Sequence, residues 1–286
     1  NLSNIPKEFV LHIEVKKHTN SDQLLQVTIK NPSSEKILYS IKEVIVSKEL
    51  LKGNFALVSH IDVKRNNKYQ PVIGFSNWSI TSNSLYHNEN NIFGPICFAQ
   101  YSLHRGKLKL TTQLSPVEEI KGHKVLLQFK INGKWVTNKT KTITNTGRAV
   151  NFQIENWKHK EDISYRIRLQ LPLKNEVYQY DYDGTIALEP IEKDEVKAAD
   201  FSCNFDYGFP DADVNEQVSK LNPDICLFFG DQFYEGTGGF GVQYHGDFDK
   251  ISLDYLRKWM MFGWSYRELF RHKPCVIMPD DHDVYH

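Results

Sequence analysis

The spacing of the apolar residues changes once along this chain, near residue 196, and this change constrains the fold more than any other feature. Before it, apolar and polar residues alternate in short runs rich in β-branched and aromatic side chains, a period of two that predicts β-strands. The clearest runs are residues 9–16, 25–30, 55–63, 125–131 and 163–169. Asn132-Gly133 follows one of them and provides the positive φ angles that a two-residue hairpin turn needs. We therefore expect an antiparallel, all-β region.

Strands that recur at this spacing from residue 9 to residue 171, with no helix pattern between them, favour one or two immunoglobulin-like β-sandwiches. We place a boundary near residue 110. It divides the region into a β-sandwich of unknown role at residues 1–110 and an immunoglobulin-like β-domain at residues 111–176. The second block ends in an alternating run, which is typical of the late strand that closes such a sandwich.

Residues 177–286 form a third region, in which short apolar runs alternate with helical patterns after a connecting stretch at residues 178–194. Strands are predicted at residues 196–202, 225–229 and 275–278, and helices at residues 212–221 and 252–271. The middle strand is apolar throughout, which predicts that both of its faces are covered. Strand–helix alternation of this kind predicts a parallel α/β layer, in which ligands bind at the carboxyl ends of the strands.

Charge and hydropathy exclude several classes of protein. Lys plus Arg and Asp plus Glu are equal at 35 each, so no global field attracts nucleic acid or an anionic membrane. The longest apolar runs, such as residues 225–229, are far shorter than the roughly 18 residues that a membrane helix needs. The four cysteines are widely spaced and predict neither a zinc site nor a redox motif. The sequence thus carries no signal of nucleic-acid binding or of a membrane span.

Polar clusters follow the three predicted α/β strands, at residues 202–204, 230–235 and 279–283. Because parallel strands end at one edge of a sheet, residues that are far apart in the sequence can meet there. A lone acid after a strand is more often a helix cap or a turn former than a ligand. Asp280, Asp281 and Asp283, however, repel one another unless a cation or several donors compensate. Carboxylates with a thiol and a phenol nearby predict a site for a hard or oxidised metal.

Two motifs resemble those of a known family. Gly-Asp-x-x-Tyr at residues 230–234 and Asp-Asp-His-Asp at residues 280–283 resemble the metallophosphoesterase superfamily, specifically its alkaline phosphatase D-like (PhoD-like) branch. That branch also carries Ser-Cys at the end of its first strand, as at residues 202–203 here, and an immunoglobulin-like domain ahead of the catalytic domain. The resemblance covers residues 177–286 and implies the first half of an α/β/β/α metallophosphoesterase domain.

The resemblance also implies a role for each matching residue. The implied metal ligands are Cys203, Asp231, Tyr234 and Asp281. Asp231 matches the carboxylate that bridges two metal ions, and Tyr234 matches a tyrosinate that binds ferric iron. His282 matches the catalytic histidine that assists charge development or departure of the alcohol, and Asp283 matches a residue that orients this imidazole. The implied cofactors are Fe3+ and a divalent ion, which is Ca2+, Zn2+, Mn2+ or Mg2+. No motif marks the substrate-binding residues.

The activity implied by the resemblance is metal-dependent hydrolysis of phosphate mono- or diesters, as in an alkaline phosphatase or phosphodiesterase. Members of the superfamily take further histidine ligands from the second half of the sheet, whereas this sequence ends at His286. We therefore expect the missing C-terminal half of the catalytic domain to be a partner, besides the phosphate ester, and this chain alone to be inactive. The resemblance also implies a secreted or periplasmic location.

Three alternatives fit these residues less well. Residues 236–241 match the G-x-G-x-x-G of a dinucleotide site, but that motif turns straight from a strand into a helix, and here residues 231–235 intervene. A hydrolase with Cys203 as nucleophile lacks an identifiable base. The non-enzymatic alternative is a β-sandwich adhesion or carbohydrate-binding protein, in which exposed tryptophans stack on sugars. The candidates for that role are Trp78, Trp135 and Trp157.

Overall fold

The computed structural model of this chain describes residues 6–51, 57, 74–83, 85, 93–117, 120–143, 146–173, 176–236 and 242–284. The chain divides into two compact units, residues 1–85 and residues 86–286. Within the described ranges, no helix has the length and apolar composition needed to cross a membrane. All of the predicted metal ligands and catalytic residues lie in the second unit.

The described part of the first unit contains one antiparallel sheet. Its strands are β1 (Val10–Lys17), β2 (Asp22–Lys30) and β3 (Ile37–Ser47), in that order, and a 3-10 turn follows at Lys48–Leu51. The register places apolar side chains of all three strands on one face: Leu11, Ile13, Val15, Leu25, Val27, Ile29, Tyr39, Ile41 and Val44. The strand expected at residues 55–63 lies, except for Leu57, outside the described residues. The described part of this unit is thus a single antiparallel layer, and it shows no second layer of the sandwich expected at residues 1–110.

The second unit begins with a β-sandwich, which confirms the predicted β-rich, antiparallel architecture. Its strands are β4 (Ile96–His104), β5 (Lys107–Leu114), β6 (Lys124–Ile131), β7 (Lys134–Lys141), β8 (Ala149–Ile154), β9 (Ile163–Leu173) and β10 (Glu176–Ile186). One sheet has the order β4-β5-β8 and the other the order β10-β9-β6-β7. Alternate side chains of both sheets meet in a common core, for example Leu110 and Phe152 from the first sheet and Leu127 and Ile167 from the second.

The sandwich begins earlier in the chain than the sequence pattern suggested. The expected boundary near residue 110 falls inside β5, which pairs with β4 on one side and with β8 on the other. Residues 96–114 therefore belong to this sandwich and not to a separate domain. β10 occupies much of the expected connecting stretch, because its alternation buries Tyr182 and Ile186. The hairpin turn at Asn132-Gly133 is confirmed, with φ angles of 49° and 77°.

The rest of the second unit is a parallel α/β layer, as predicted. β11 (Ala198–Phe201), β12 (Ile225–Phe229) and β13 (Cys275–Met278) form a parallel sheet in that order. The helices between them are α1 (Ala212–Leu221), α2 (Phe248–Ser265) and α3 (Arg267–His272). The single helix expected at residues 252–271 is therefore two, divided at Tyr266. α2 begins earlier than expected because the Asp247 side chain accepts a hydrogen bond from the amide of Asp249 at 3.0 Å.

Helices cover one face of the parallel sheet. Cys226 and Phe228 are buried in a core that includes Phe262 of α2. On the opposite face Phe229 is 44% exposed and Met278 is 51% exposed. The prediction that both faces of β12 are covered is therefore wrong for the described residues. An unbroken apolar run shows that a strand is apolar on both faces, but it does not show that something packs on each of them.

The sandwich and the parallel layer share strand β4. Tyr101 of this strand packs in the sandwich core, whereas Phe98 lies in the core of the parallel layer. The Phe98 ring centroid is 6.1 Å from that of Trp259 and 5.8 Å from that of Phe270. The hydroxyl of Tyr101 donates a hydrogen bond to the carbonyl of His272 at 3.1 Å. Strand β4 is therefore one of the elements that fix the parallel layer against the sandwich.

Replacing Gly263 of α2 with alanine should destabilise the second unit, because the added methyl group would overlap the buried ring of Phe98. Alanine favours a helix over glycine by about 1 kcal/mol, whereas overpacking a core costs about 1–3 kcal/mol, so we expect a net loss of stability. Urea denaturation followed by circular dichroism measures the free energy of unfolding.

Gly236→Ala is the control for this substitution, since a methyl group at that position meets none of the described residues within 4 Å. We expect it to change the free energy of unfolding by less than about 0.5 kcal/mol. A Gly263→Ala variant as stable as the unsubstituted chain would contradict the packing of α2 on β4.

Candidate metal centre

Backbone hydrogen bonds tie together the segments that follow β11 and β12. The amide of Cys203 donates to the carbonyl of Gly230 at 3.3 Å, and the amide of Asn204 donates to the carbonyl of Asp231 at 2.8 Å. The first polar cluster of the sequence is thereby attached to the second. This is the convergence at strand ends that the parallel topology predicts.

The Asp283 carboxylate attaches the second cluster to the third. One oxygen accepts a hydrogen bond from the amide of Gln232 at 2.8 Å, and the other accepts one from the amide of Asp280 at 3.0 Å. The residue is 3% exposed, and burial raises the pKa of its carboxyl above the usual value. Asp283 thus organises the backbone of two loops, whereas its expected role was to orient the imidazole of His282.

Three residues in these loops adopt a left-handed backbone. The φ angle is 54° at Cys203, 79° at Gly230 and 49° at Asp231. A methyl group at position 230 would overlap the Cβ of Asp280, so glycine is needed there for both conformation and space. Left-handed residues other than glycine are uncommon, and they cluster at functional sites where the surrounding structure holds them. Cys203 and Asp231 are both of this kind.

The Asp231 carboxylate is the centre of the candidate site. Its Oδ2 accepts a hydrogen bond from the hydroxyl of Tyr234 at 3.1 Å and a longer one from the thiol of Cys203 at 3.6 Å. Its Oδ1 is buried and accepts no hydrogen bond from the described part of the chain. A buried carboxylate oxygen without a donor is unfavourable, and a cation beside it removes the penalty.

A second group of donors includes the same carboxylate. Ligand atoms of Asp231, Asp281 and His282 all lie within 4.8 Å of one another, a spacing that one metal ion can bridge. Asp231 therefore belongs to two groups, one with Cys203 and Tyr234 and one with Asp281 and His282. Thiolate and phenolate suit an oxidised metal, and carboxylate with imidazole suits a divalent one. Asp231 thus lies in both groups of candidate metal donors.

The surroundings of Tyr234 favour its neutral phenol over the phenolate. Desolvation is the largest cause that raises the pKa of this phenol above its usual value, and the hydrogen bonds with Cys203 and Asp231 come next. The hydroxyl of Tyr234 therefore acts as a donor to Asp231. A cation beside the phenol oxygen would lower the pKa of Tyr234, since positive charge favours the phenolate.

Glu235 orients the imidazole of His282. Its Oε2 lies 2.6 Å from His282 Nδ1, and this hydrogen bond is the main cause that raises the pKa of His282 above its usual value. With Nδ1 engaged, Nε2 is the ring atom that can serve a metal ion or a substrate. Sequence reasoning assigned no role to Glu235, although its position directly after Tyr234 in the polar cluster was a usable signal.

The backbone of Glu235 is held in turn by Lys258, which forms a buried ion pair with Asp254. Lys258 is 1% exposed, and its ammonium group donates to the carbonyl of Glu235 and to Asp254 Oδ2, the latter at 3.1 Å. Desolvation is the main cause that lowers the pKa of Lys258. Sequence reasoning missed Lys258 because it considered only the apolar positions of α2. A lysine four residues after an aspartate in a helix was the available signal.

Two of the alternative functions depend on three tryptophans and on a glycine motif. Trp157 packs against the sandwich core, and Trp135 lies beneath a guanidinium group, whereas Trp78 of the first unit is 56% exposed. α2 begins only at Phe248, so no helix directly follows β12 among the described residues. Residues 237–241 of the glycine motif lie outside them.

No family model matches this chain, and no curated protein matches it. Among solved structures, the chain is similar to the crystal structure of the rat CD45 extracellular region, domains d3–d4, with 15% sequence identity over 63% of this chain and 99% of that chain. The TM-score is 0.21, which is too low to support an argument about fold or function. Function is therefore inferred from the site itself.

In the metal-free chain, the pKa of His282 should lie above its ordinary value because the Glu235 carboxylate stabilises the imidazolium. Glu235→Gln should lower this pKa, so that the imidazolium loses its proton at a lower pH. Two-dimensional NMR of the imidazole nitrogens against pH, in the presence of a chelator, measures both values.

Glu216→Gln is the matched control, since Glu216 lies on the exposed surface of α1 and pairs there with Lys220. It should leave the titration of His282 unchanged. The same His282 pKa in the Glu235→Gln variant and in the unsubstituted chain would show that Glu235 does not hold the ring.

Proposed function

We propose that this chain carries part of the active site of a metal-dependent hydrolase of phosphate mono- or diesters, of the alkaline phosphatase or phosphodiesterase type. The observation that carries the proposal is the Asp231 carboxylate, which belongs to two donor groups and has a buried oxygen with no donor among the described residues. The proposed cofactors are Fe3+ and a divalent ion, which is Ca2+, Zn2+, Mn2+ or Mg2+. Such ions, when bound, neutralise phosphate charge and make water a better nucleophile.

Each donor group suits one of the proposed ions. Cys203 and Tyr234 would hold the ferric ion, because sulfur and phenol ligands suit an oxidised metal. Asp281 would hold the divalent ion, and Asp231 would be shared between the two. The left-handed backbone at Cys203 and Asp231 supports this assignment, since strained residues of this kind are typical of binding sites.

His282 would act on the substrate. Its contact with Glu235 keeps the ring in one orientation and favours the protonated form. A protonated imidazole can stabilise charge on the phosphoryl oxygens or give a proton to the departing alcohol. Asp283 would support this residue indirectly, because it holds the backbone of the loop that carries His282.

The open face of the parallel sheet supports a further part of the proposal. Phe229 and Met278 end the two strands that precede the site loops, and they are 44% and 51% exposed. An apolar sheet face of this kind is typical of a surface that another layer covers. We propose that the remainder of an α/β/β/α catalytic domain covers it, provides further metal ligands and is needed for turnover. Following the motif resemblance, we also propose a secreted or periplasmic location.

Metal analysis of the purified protein, with the proposed remainder of the catalytic domain present, tests the proposal. After incubation with Fe3+ and a divalent ion, elemental analysis should show bound iron, and the Tyr234 phenolate should give a visible charge-transfer band. Asp231→Asn should weaken metal binding by more than about 100-fold, since losing an outer contact to a ligand already costs about 10–100-fold. Asp213→Asn, an exposed carboxylate on α1, is the control and should bind metal normally.

A purified protein that includes the proposed remainder of the catalytic domain and still binds neither ion would contradict the proposal. Such a result would favour the non-enzymatic adhesion or carbohydrate-binding alternative. Loss of iron in the Asp213→Asn control as well would show that the carboxylates bind it without a specific site.

His282→Asn separates the two roles open to this residue. If His282 acts on the substrate, the variant should keep both ions and bind inorganic phosphate about tenfold more weakly, because one charged hydrogen bond is lost. Isothermal titration calorimetry of the metal-loaded protein measures the phosphate affinity. Loss of one ion in this variant would instead make His282 a metal ligand.

A further inference from the structure

Two exposed aromatic side chains stand on the turn that follows Cys203. Phe205 is 51% exposed and Tyr207 is 74% exposed. Their ring centroids are 4.9 Å apart, with the planes inclined by 79°. Neither residue was singled out by the sequence patterns, and neither belongs to the metal donor groups. Together they form an apolar patch at the edge of the candidate metal centre.

This patch continues into the site as a row of rings. The Phe205 centroid lies 5.7 Å from that of Tyr234, and the Tyr234 centroid lies 4.5 Å from that of His282. We call Tyr207, Phe205, Tyr234 and His282 the aromatic row. Its inner end is the residue proposed to act on the phosphate, and its outer end is exposed to solvent. A molecule bound at the metal centre can therefore lie along the row.

The turn that carries the outer rings is held by hydrogen bonds. Asn204 is anchored at its amide by the carbonyl of Asp231 at 2.8 Å and at its Oδ1 by the buried hydroxyl of Tyr266 at 2.8 Å. The amide of Gly208 donates to the carbonyl of Phe205 at 2.9 Å. The rings are thus exposed on an ordered backbone. Aromatic side chains held in this way bind a ligand with little loss of conformational entropy.

We propose that the aromatic row selects phosphate esters whose organic part contains a planar aromatic ring, which lies against Phe205 and Tyr207. This inference rests on the proposed function, because it places the phosphate at Asp231 and His282. Aromatic rings favour other aromatic rings in edge-to-face or offset arrangements beyond the effect of buried area alone. The row is an extended wall and not a cage around one point, so it fits a flat ring better than a quaternary ammonium group.

Phosphonates provide a direct test, since the protein cannot hydrolyse them. Phenylphosphonate and cyclohexylphosphonate have the same charged group and a similar size, but only the first is aromatic. Calorimetric titration of the metal-loaded chain should give phenylphosphonate the higher affinity, by roughly threefold to tenfold. Phe205→Leu and Tyr207→Leu keep an apolar side chain and should each reduce this preference. Both should leave the affinity for methylphosphonate unchanged.

Tyr178→Ala is the matched control, since Tyr178 is an exposed tyrosine on β10 of the sandwich and should have no effect on either ligand. The non-hydrolysable 5′-phosphonate analogue of uridine 5′-monophosphate, in which ribose separates the ring from the phosphonate, distinguishes a nucleotide from an aryl ester as the source of the aromatic ring. Tighter binding than that of phenylphosphonate assigns the row to nucleotides, and weaker binding assigns it to aryl esters.

Two results are negative, and they differ in meaning. If methylphosphonate binds but phenylphosphonate and cyclohexylphosphonate bind equally well, the aromatic selectivity is refuted and the phosphoesterase proposal stands. The same holds if the leucine variants retain the full preference. If the metal-loaded protein, with the proposed remainder of the catalytic domain present, binds no phosphonate and no inorganic phosphate, the proposed function is refuted, and the inference with it.

Discussion

The packing around Phe228 determines the geometry of the parallel layer. This side chain is 0% exposed, and its ring is surrounded by aromatic rings from β11, α2 and α3 and from the residue that joins the two helices. The centroid distances are 4.5 Å to Phe201, 5.4 Å to Phe262, 5.1 Å to Tyr266 and 5.3 Å to Phe270. Removing such a buried ring costs about 3–5 kcal/mol. Because Asp231 follows Phe228 by three residues, the same packing fixes the position of the central carboxylate.

Tyr266 links this aromatic core to the site. Its ring belongs to the core, while its hydroxyl lies 2.8 Å from Asn204 Oδ1 and 3.0 Å from Asp211 Oδ2. A rigid core can therefore hold the left-handed backbone at Cys203 and Asp231, which would be unfavourable in a loop without such support. Strain and an orphaned carboxylate oxygen at one place, in a well-packed scaffold, are the pattern of a binding site.

Elements with local signals could be predicted, and elements that depend on distant partners could not. The bounds predicted for α1 and β12 match those observed, and the turn at Asn132-Gly133 is present. In contrast, the expected boundary near residue 110 divides β5, because the pairing of β5 with β8 leaves no mark in neighbouring residues. The apolar run of β12 likewise predicted a covered strand, although its outer face is open in the described residues.

For the candidate site, the sequence by itself indicated the candidate donors, because the three-residue spacing of Asp231 and Tyr234 after an apolar strand is a local property. Tertiary structure decided which acid serves His282. Asp283 is its neighbour in the chain, yet the carboxylate of Asp283 accepts hydrogen bonds from backbone amides. Glu235, in the loop that follows β12, lies 2.6 Å from the imidazole instead. The reason is that hydrogen bonds depend on distance and direction in space. A sharp turn separates adjacent side chains, and converging strand ends bring remote ones together.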